Sequence, residues 1–167
     1  MTIGYDITGA GPHRALVLHG WFGDRTMFAP MRDALSLDEF SYCAVDSRGY
    51  GKSKAMTGAY SVEEVAADVV AVADSLGWET FSLIGHSMGG KFLQLILADA
   101  PQRVRRAVAI TPVPAAAVPF DDQSWGLFDG AAASLDNRRT IIDFTTGNRL
   151  SKTWIDAMAR HSEATST

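Results

Sequence analysis

The chain has 167 residues, 47% of them hydrophobic and 20% charged, with a formal net charge of −4. That is the make-up of a globular domain long enough for one core. An acidic balance with no basic run beyond Arg105-Arg106 and Arg138-Arg139 argues against a nucleic-acid partner, and a single cysteine, Cys43, excludes an intrachain disulfide.

Residues 2–8 alternate weakly and predict an edge strand with Ile3, Tyr5 and Ile7 on one face. After the turn Gly9-Ala10-Gly11-Pro12, the run Ala15-Leu16-Val17-Leu18 has no polar alternation. A strand buried on both faces of a parallel sheet reads this way. It stops at His19-Gly20-Trp21-Phe22-Gly23-Asp24. Met27, Met31, Ala34 and Leu35 then share one side of a predicted helix over 27–35, with Pro30 near its start. Phe40 to Val45 is the next strand, and it runs into the polar loop Asp46-Ser47-Arg48-Gly49-Tyr50-Gly51-Lys52-Ser53. Ser61-Val62-Glu63-Glu64 is a capping box. The helix it opens carries an apolar stripe at 62, 65, 66, 69, 72, 73 and 76, and Gly77 suits its C-terminal end. A strand over 81–84, a turn at Ser87, a helix up to Ala98 and a strand over 104–110 follow.

Strands and helices thus alternate four times, which means βαβ crossovers and a mostly parallel sheet with helices on both faces. Ligands bind at the carboxyl ends of such strands. His19–Phe22, Asp46–Ser53, Ser87 and Thr111–Pro114 all follow strands and share that edge. From Pro114 the pattern changes to short helices, around 134–144 and 151–159, with no convincing strand. Asp121 and Asp122 follow the last strand and read as the cap of one such helix or as a solvent-facing pair, the alternative being a relocated catalytic acid.

The stretch with chemical content is Gly85-His86-Ser87-Met88-Gly89-Gly90, set between a strand and a helix. G-x-S-x-G in that context lifts a serine hydroxyl off the end of a sheet, and the flanking glycines remove side chains that would collide across the turn. The next helix points its N-terminal N–H groups at the same place, which suits developing negative charge. Ser87 is therefore the candidate nucleophile. No Cys/His cluster, dinucleotide fingerprint or Walker lysine is present, so neither metal nor organic cofactor is expected.

Three motifs in this order resemble the N-terminal half of the α/β-hydrolase superfamily: His19-Gly20-Trp21, Asp46 to Ser53, and Gly85 to Gly90. The closest subgroups are small esterases, haloperoxidase-like perhydrolases and carbon–carbon bond hydrolases. The resemblance implies a three-layer α/β sheet, with residues 1–112 as part of the core and 113–167 as the start of a helical lid. It implies that the backbone N–H groups of Trp21 and Met88 form an oxyanion hole, with Trp21, Phe22 and Met88 as candidates for the acyl-pocket wall. His19, Gly20, Gly85, His86, Gly89, Asp46 and Arg48 fall to structural roles near the site, and Ser53 is expected to bond within its own loop. Trp125, Phe128, Phe144 and Trp154 are aromatic residues of the lid segment that could face the pocket or pack on the core.

The triad order in this fold is Ser, then Asp or Glu, then His, and a complete domain needs about 250 residues. The expectation is that the acid and histidine, with the last core strands, lie on a C-terminal segment outside these residues, which could act as a separate partner chain. His161, the only late histidine, sits in the lid segment ahead of the expected position. The function expected of the full-length protein is hydrolysis of a small-molecule ester or related acyl bond through an acyl-enzyme, the 167 residues alone being inactive. The alternatives are a non-catalytic ligand-binding or signalling protein of the same fold, and perhydrolysis or carbon–carbon hydrolysis. The N-terminus has neither basic nor apolar leader character, and no apolar stretch approaches the roughly 18 residues of a membrane span. A cytoplasmic setting without membrane contact is expected.

Overall fold

A computed structural model describes residues 2–166; Met1 and Thr167, the outer bounds of the two expected regions, lie outside the described residues. Its centre is a five-stranded sheet in the order β1-β3-β2-β4-β5, from β1 (Tyr5–Thr8), β2 (His13–Leu18), β3 (Phe40–Val45), β4 (Phe81–His86) and β5 (Val104–Ile110). β1 lies antiparallel to β3; the other pairings are parallel, with Leu16 level with Cys43 and Leu83.

The apolar run of β2 has no alternation because both of its faces are covered. Leu16 and Leu18 join Cys43, Val45, Phe81 and Leu83 on the face packed by α1 (Val62–Ser75) and α2 (Met88–Asp99). Ala15 and Val17 are buried as well, although they belong to the alternate positions of the strand. The stripe read from α1 is the buried one: Val65, Ala66, Val69, Val72 and Ala73 are buried, and Val62 and Leu76 pack against them. Ser61 caps α1 by accepting the Glu64 N–H at 3.2 Å, whereas the Glu64 carboxylate accepts from Tyr60 N–H rather than from Ser61. The lone thiol of Cys43 is fully buried, and burial pushes its pKa up to about 12.

The other face of the sheet departs from expectation. Residues 27–35 do not form an α-helix: Arg25–Ala34 is a 3-10 segment with no buried residue, and Met31 is half exposed. Pro30 sits inside it, where its missing N–H and its ring break an α-helical ladder. This segment flanks Val17, Ala44, Ile84 and Ile110 across a hollow of about 200 Å³. β5 is barely covered, with residues 105–109 exposed. At the other edge Ile3 is buried but lies ahead of β1, and Ile7 is 46% exposed, so the weak alternation of that edge strand misplaced its inward face.

The tail is helical throughout: α3 (Asp122–Asp129), α4 (Leu135–Thr145) and α5 (Lys152–Thr165). Asp121 caps α3 by accepting the Ser124 N–H at 2.7 Å. α5 runs six residues beyond its expected end. These helices have a cluster of their own, Ala131, Ile141, Ile142, Ile155 and Ala159, and Phe22 of the core is the residue inserted into it. The helical tail is thereby seated on the loop that follows β2.

Candidate active site

β4 ends at His86 and α2 begins at Met88, so Ser87 alone carries the reversal between strand and helix. Its backbone is at φ 51°, ψ −114°, a conformation that L-residues avoid. Three bonds hold it there. Its N–H donates to Ile110 O at 3.0 Å, and its carbonyl accepts from Gly90 N–H at 2.9 Å and Val113 N–H at 3.0 Å. The hydroxyl does not cap α2 and has no hydrogen-bond partner among the described residues.

The glycines around it are required by close approach. A Cβ on Gly85 would stand 2.6 Å from Gly89 O, and one on Gly89 would run into the carbonyls of Leu18 and His19. The turn is thus pressed against the carboxyl end of β2. A Cβ on Gly20 would lie 3.1 Å from Ser87 Cβ, so the His19-Gly20-Trp21 segment stands directly beside the serine. The Trp21 N–H makes no hydrogen bond among the described residues. Met88 opens α2, where an N–H has no intrahelical acceptor. The residue after Gly20 and the residue after Ser87 thus each keep a backbone N–H without an acceptor among the described residues.

Trp21 is sandwiched between Phe22, at 4.3 Å between ring centroids, and Phe128 of α3, at 5.2 Å. Phe128 in turn meets Phe120 at 5.0 Å. Of the aromatic residues of the helical tail, Phe128 thus reaches the loop, whereas Trp125 and Phe144 are 59% and 69% exposed. A groove of about 320 Å³ runs from Trp21 and Phe22 past Met27 to Trp154, Met158 and His161. A second cavity, also about 320 Å³, lies under Met88 between Tyr50, Tyr60, Val65 and Phe92.

Most of the remaining polar residues hold backbone segments in place. His19 is fully buried, with Nδ1 2.8 Å from Gly20 O and Nε2 accepting the Ser47 N–H at 3.1 Å. Those partners fix a neutral imidazole with the proton on Nδ1, and burial holds its pKa below the ordinary value. His86 turns its ring against Gly20; its Nδ1 is buried without a partner among the described residues, and burial lowers its pKa too. His161 on α5 points its Nε2 at Asp24 Oδ1, 3.7 Å away. None of the three histidines has a hydrogen bond to Ser87.

Asp46, fully buried, accepts from Arg25 N–H and Lys52 N–H and pairs with the Arg25 guanidinium at 2.7 Å. Arg48 grips Asp68 with two parallel bonds, tying the loop after β3 to α1. Ser53 bonds within its own loop through its backbone, its N–H donating to Tyr50 O at 2.7 Å and its carbonyl accepting the Gly49 N–H at 3.2 Å, while its hydroxyl accepts the Gly4 N–H at 2.7 Å and so fastens the N-terminal segment. Among the described residues no group of three or more His, Cys, Asp or Glu is arranged to hold a metal ion.

Sequence reasoning missed three contributors. Arg25 follows the loop after β2 and reads as a surface cation. Tyr50 packs its ring against that of His19 in a tilted arrangement, 4.9 Å between centroids, and brings its hydroxyl to 4.0 Å from Met88 Sδ. Arg138 lies buried in α4 with its guanidinium 5.1 Å over the Phe22 ring. No local pattern marks these contacts, which join residues 20 to more than 100 positions apart.

The family model described as alpha/beta hydrolase fold matches residues 16–164. The acetyltransferase component of an acetoin-cleaving system from Cupriavidus necator is 32% identical over 109 residues, covering 65% of this chain and 29% of that protein. A serine hydrolase from Mus musculus is 33% identical over 108 residues, covering 62% of this chain and 37% of that one. The solved structure of a hydrolase from Oleispira antarctica matches 98% of this chain and 64% of its own with a TM-score of 0.82 at 21% identity, a likeness of fold. The chain thus spans well under half the length of these two sequence relatives.

Proposed function

We propose that this chain, which belongs to the alpha/beta hydrolase fold family, carries the nucleophile and oxyanion half of a serine-hydrolase site that cleaves a carboxylic ester or related acyl bond. Ser87 Oγ attacks the carbonyl carbon and gives its proton to a histidine base. The carbonyl oxygen becomes an oxyanion held by the N–H groups of Met88 and Trp21. Collapse expels the alcohol, protonated by the same histidine, and leaves an acyl group on Ser87. Water then attacks the acyl-enzyme, releases the acid and restores the hydroxyl.

The observation that carries this reading is Ser87 itself: a non-glycine residue at φ 51°, ψ −114°, its hydroxyl unengaged and the Gly20 loop against its Cβ. A binding protein has no need of a strained serine there. The base and its acid are assigned to residues outside this sequence. The triad order of the fold supports this, as does the chain's share of its relatives' length. The substrate is a small molecule, and the groove along Trp21 and Phe22 receives one side of it.

The test is ester turnover by the full-length protein and by its Ser87→Ala variant. The variant keeps its fold and loses turnover by at least a thousandfold. Turnover surviving the substitution would remove Ser87 from the chemistry. Ligand binding without turnover in the wild type would favour a non-catalytic binding protein.

A further inference from the structure

Two bonds to the chain leaving β5 fix the Ser87 backbone, yet no packed core holds that chain. Ser87 N–H donates to Ile110 O, the last residue of β5, and Ser87 O accepts the Val113 N–H, each at 3.0 Å. Between them Thr111 stands at φ 39°, a second non-glycine residue in the left-handed region. Pro112 lies against Gly90, where an added Cβ would come within 2.5 Å of Pro112 Cβ. No residue of 111–120 is buried, so hydrophobic packing does little to keep Val113 in place.

Gln94, in the second turn of α2, does this instead. Its Nε2 donates to Gly90 O and to Val113 O, both at 2.9 Å, and its Oε1 accepts the Ala115 N–H at 3.2 Å. Exchanging the amide oxygen and nitrogen would break all three bonds, so the partners fix the amide's orientation. Among the described residues Gln94 is the one side chain hydrogen-bonded to the backbone of 111–120. One amide therefore grips both residues that donate to the Ser87 carbonyl: Gly90, whose N–H reaches it at 2.9 Å, and Val113. A conformation as disfavoured as that of Ser87 persists only where its surroundings over-determine it.

We propose that Gln94 is a positioning residue for the reaction at Ser87: it holds Gly90 and Val113 on the Ser87 carbonyl and so keeps Ser87 Oγ and the Met88 N–H aligned on one substrate carbonyl. This rests on the hydrolase reading of Ser87. Gln94 itself touches neither the substrate nor the reacting atoms. Without its amide the loop moves off α2, the Val113 bond opens, and Ser87 relaxes toward an ordinary conformation. Nucleophile and oxyanion donor then lose their alignment while the walls that bind the substrate stay as they are. The loss falls on kcat and leaves KM nearly unchanged.

The test compares the full-length protein with its Gln94→Met and Gln94→Glu variants. Gln94→Met keeps the length of the side chain and removes its donors and acceptor. Its kcat for a p-nitrophenyl ester falls about 10- to 100-fold with KM nearly unchanged, and fluorophosphonate labelling of Ser87 slows by the same factor. Gln94→Glu turns an ionised carboxylate toward two carbonyl oxygens and, once protonated, donates to one of them. The ratio of its kcat to the wild-type value therefore climbs as pH falls from about 8 to about 5.5, which Gln94→Met does not show. A role in stability alone lowers the melting temperature and leaves the kcat of the folded variants at the wild-type value; that result overturns the proposal, as does a ratio for Gln94→Glu that is flat with pH. Amide hydrogen exchange on the wild type needs no variant to fold. There the Val113 N–H is protected far beyond that of exposed Ala117, and equal exchange at the two overturns the proposal. A wild type that fluorophosphonate does not label overturns the hydrolase reading and this proposal with it. Labelling at one rate in the wild type and in Gln94→Met overturns this proposal alone.

Discussion

A methyl group placed on Gly20 would come within 2.6 Å of His86 Nδ1 and 3.1 Å of Ser87 Cβ, so the loop that follows β2 packs directly on the His86 ring and on the turn that follows β4. In the proposed mechanism the Trp21 N–H, one residue on from Gly20, serves the oxyanion at Ser87. Gly20→Ala forces the two apart. Misplacing one oxyanion donor costs on the order of 100-fold in kcat. Steady-state kinetics of the full-length variant, with circular dichroism to confirm the fold, checks this.

Strain at Ser87 should be visible in stability. Ser87→Gly accommodates φ 51°, ψ −114° freely, whereas Ser87→Ala keeps the Cβ in the same disfavoured conformation. Relief of such strain is worth about 1–3 kcal/mol, offset in part by the greater freedom of glycine in the unfolded chain. The glycine variant therefore melts above the alanine variant, and both are inactive. Equal melting temperatures would show that the turn is not strained.

His19 supplies a pH dependence with a definite sign. Burial lowers its pKa in the folded state, so the unfolded chain binds the proton more readily. Stability is then complete above the ordinary histidine pKa of about 6.5 and falls as pH drops below it, by up to about 1.4 kcal/mol per pH unit for each such group. His86 adds in the same direction. Denaturant midpoints between pH 7.5 and 5 should fall, with a shallower slope in His19→Asn, whose amide can still donate to Gly20 O.

Asp46 is the other buried anchor. Asp46→Ala leaves the Arg25 guanidinium, which is 17% exposed, with Asp6 as its remaining carboxylate and strands two backbone N–H groups. Removing one partner of a buried pair costs about 3–5 kcal/mol, and the partial exposure of Arg25 places this one near the lower end. Asp136→Ala removes a carboxylate whose side chain is 87% exposed and should leave stability within about 0.5 kcal/mol. Urea denaturation of the two variants side by side measures the contrast.

These predictions draw unevenly on what the sequence shows. β2, β4 and the turn at Ser87 are legible because an unalternating apolar run, then glycine at two fixed places, answers to local sterics. The stripe of α1 is legible for the same reason: five of its seven positions are buried. The segment 25–34 misleads because its apolar spacing fits a helix while Pro30 prevents one and the segment buries no residue. Ile7 misleads because an edge strand alternates without a partner layer to receive it. Arg25 and Arg138 are silent in the sequence: the burial of each is decided by a partner brought close only by the fold, Asp46 for one, Ser162 and Ser166 for the other.

The central claim is that Ser87 forms a covalent acyl bond. The direct measurement is mass spectrometry of the full-length protein after rapid quenching with a slowly deacylated ester, followed by peptide mapping. The account predicts one acyl adduct per chain, on the peptide containing Ser87, absent in Ser87→Ala. An adduct on another residue, or full turnover with no adduct and with Ser87→Ala unimpaired, would contradict it.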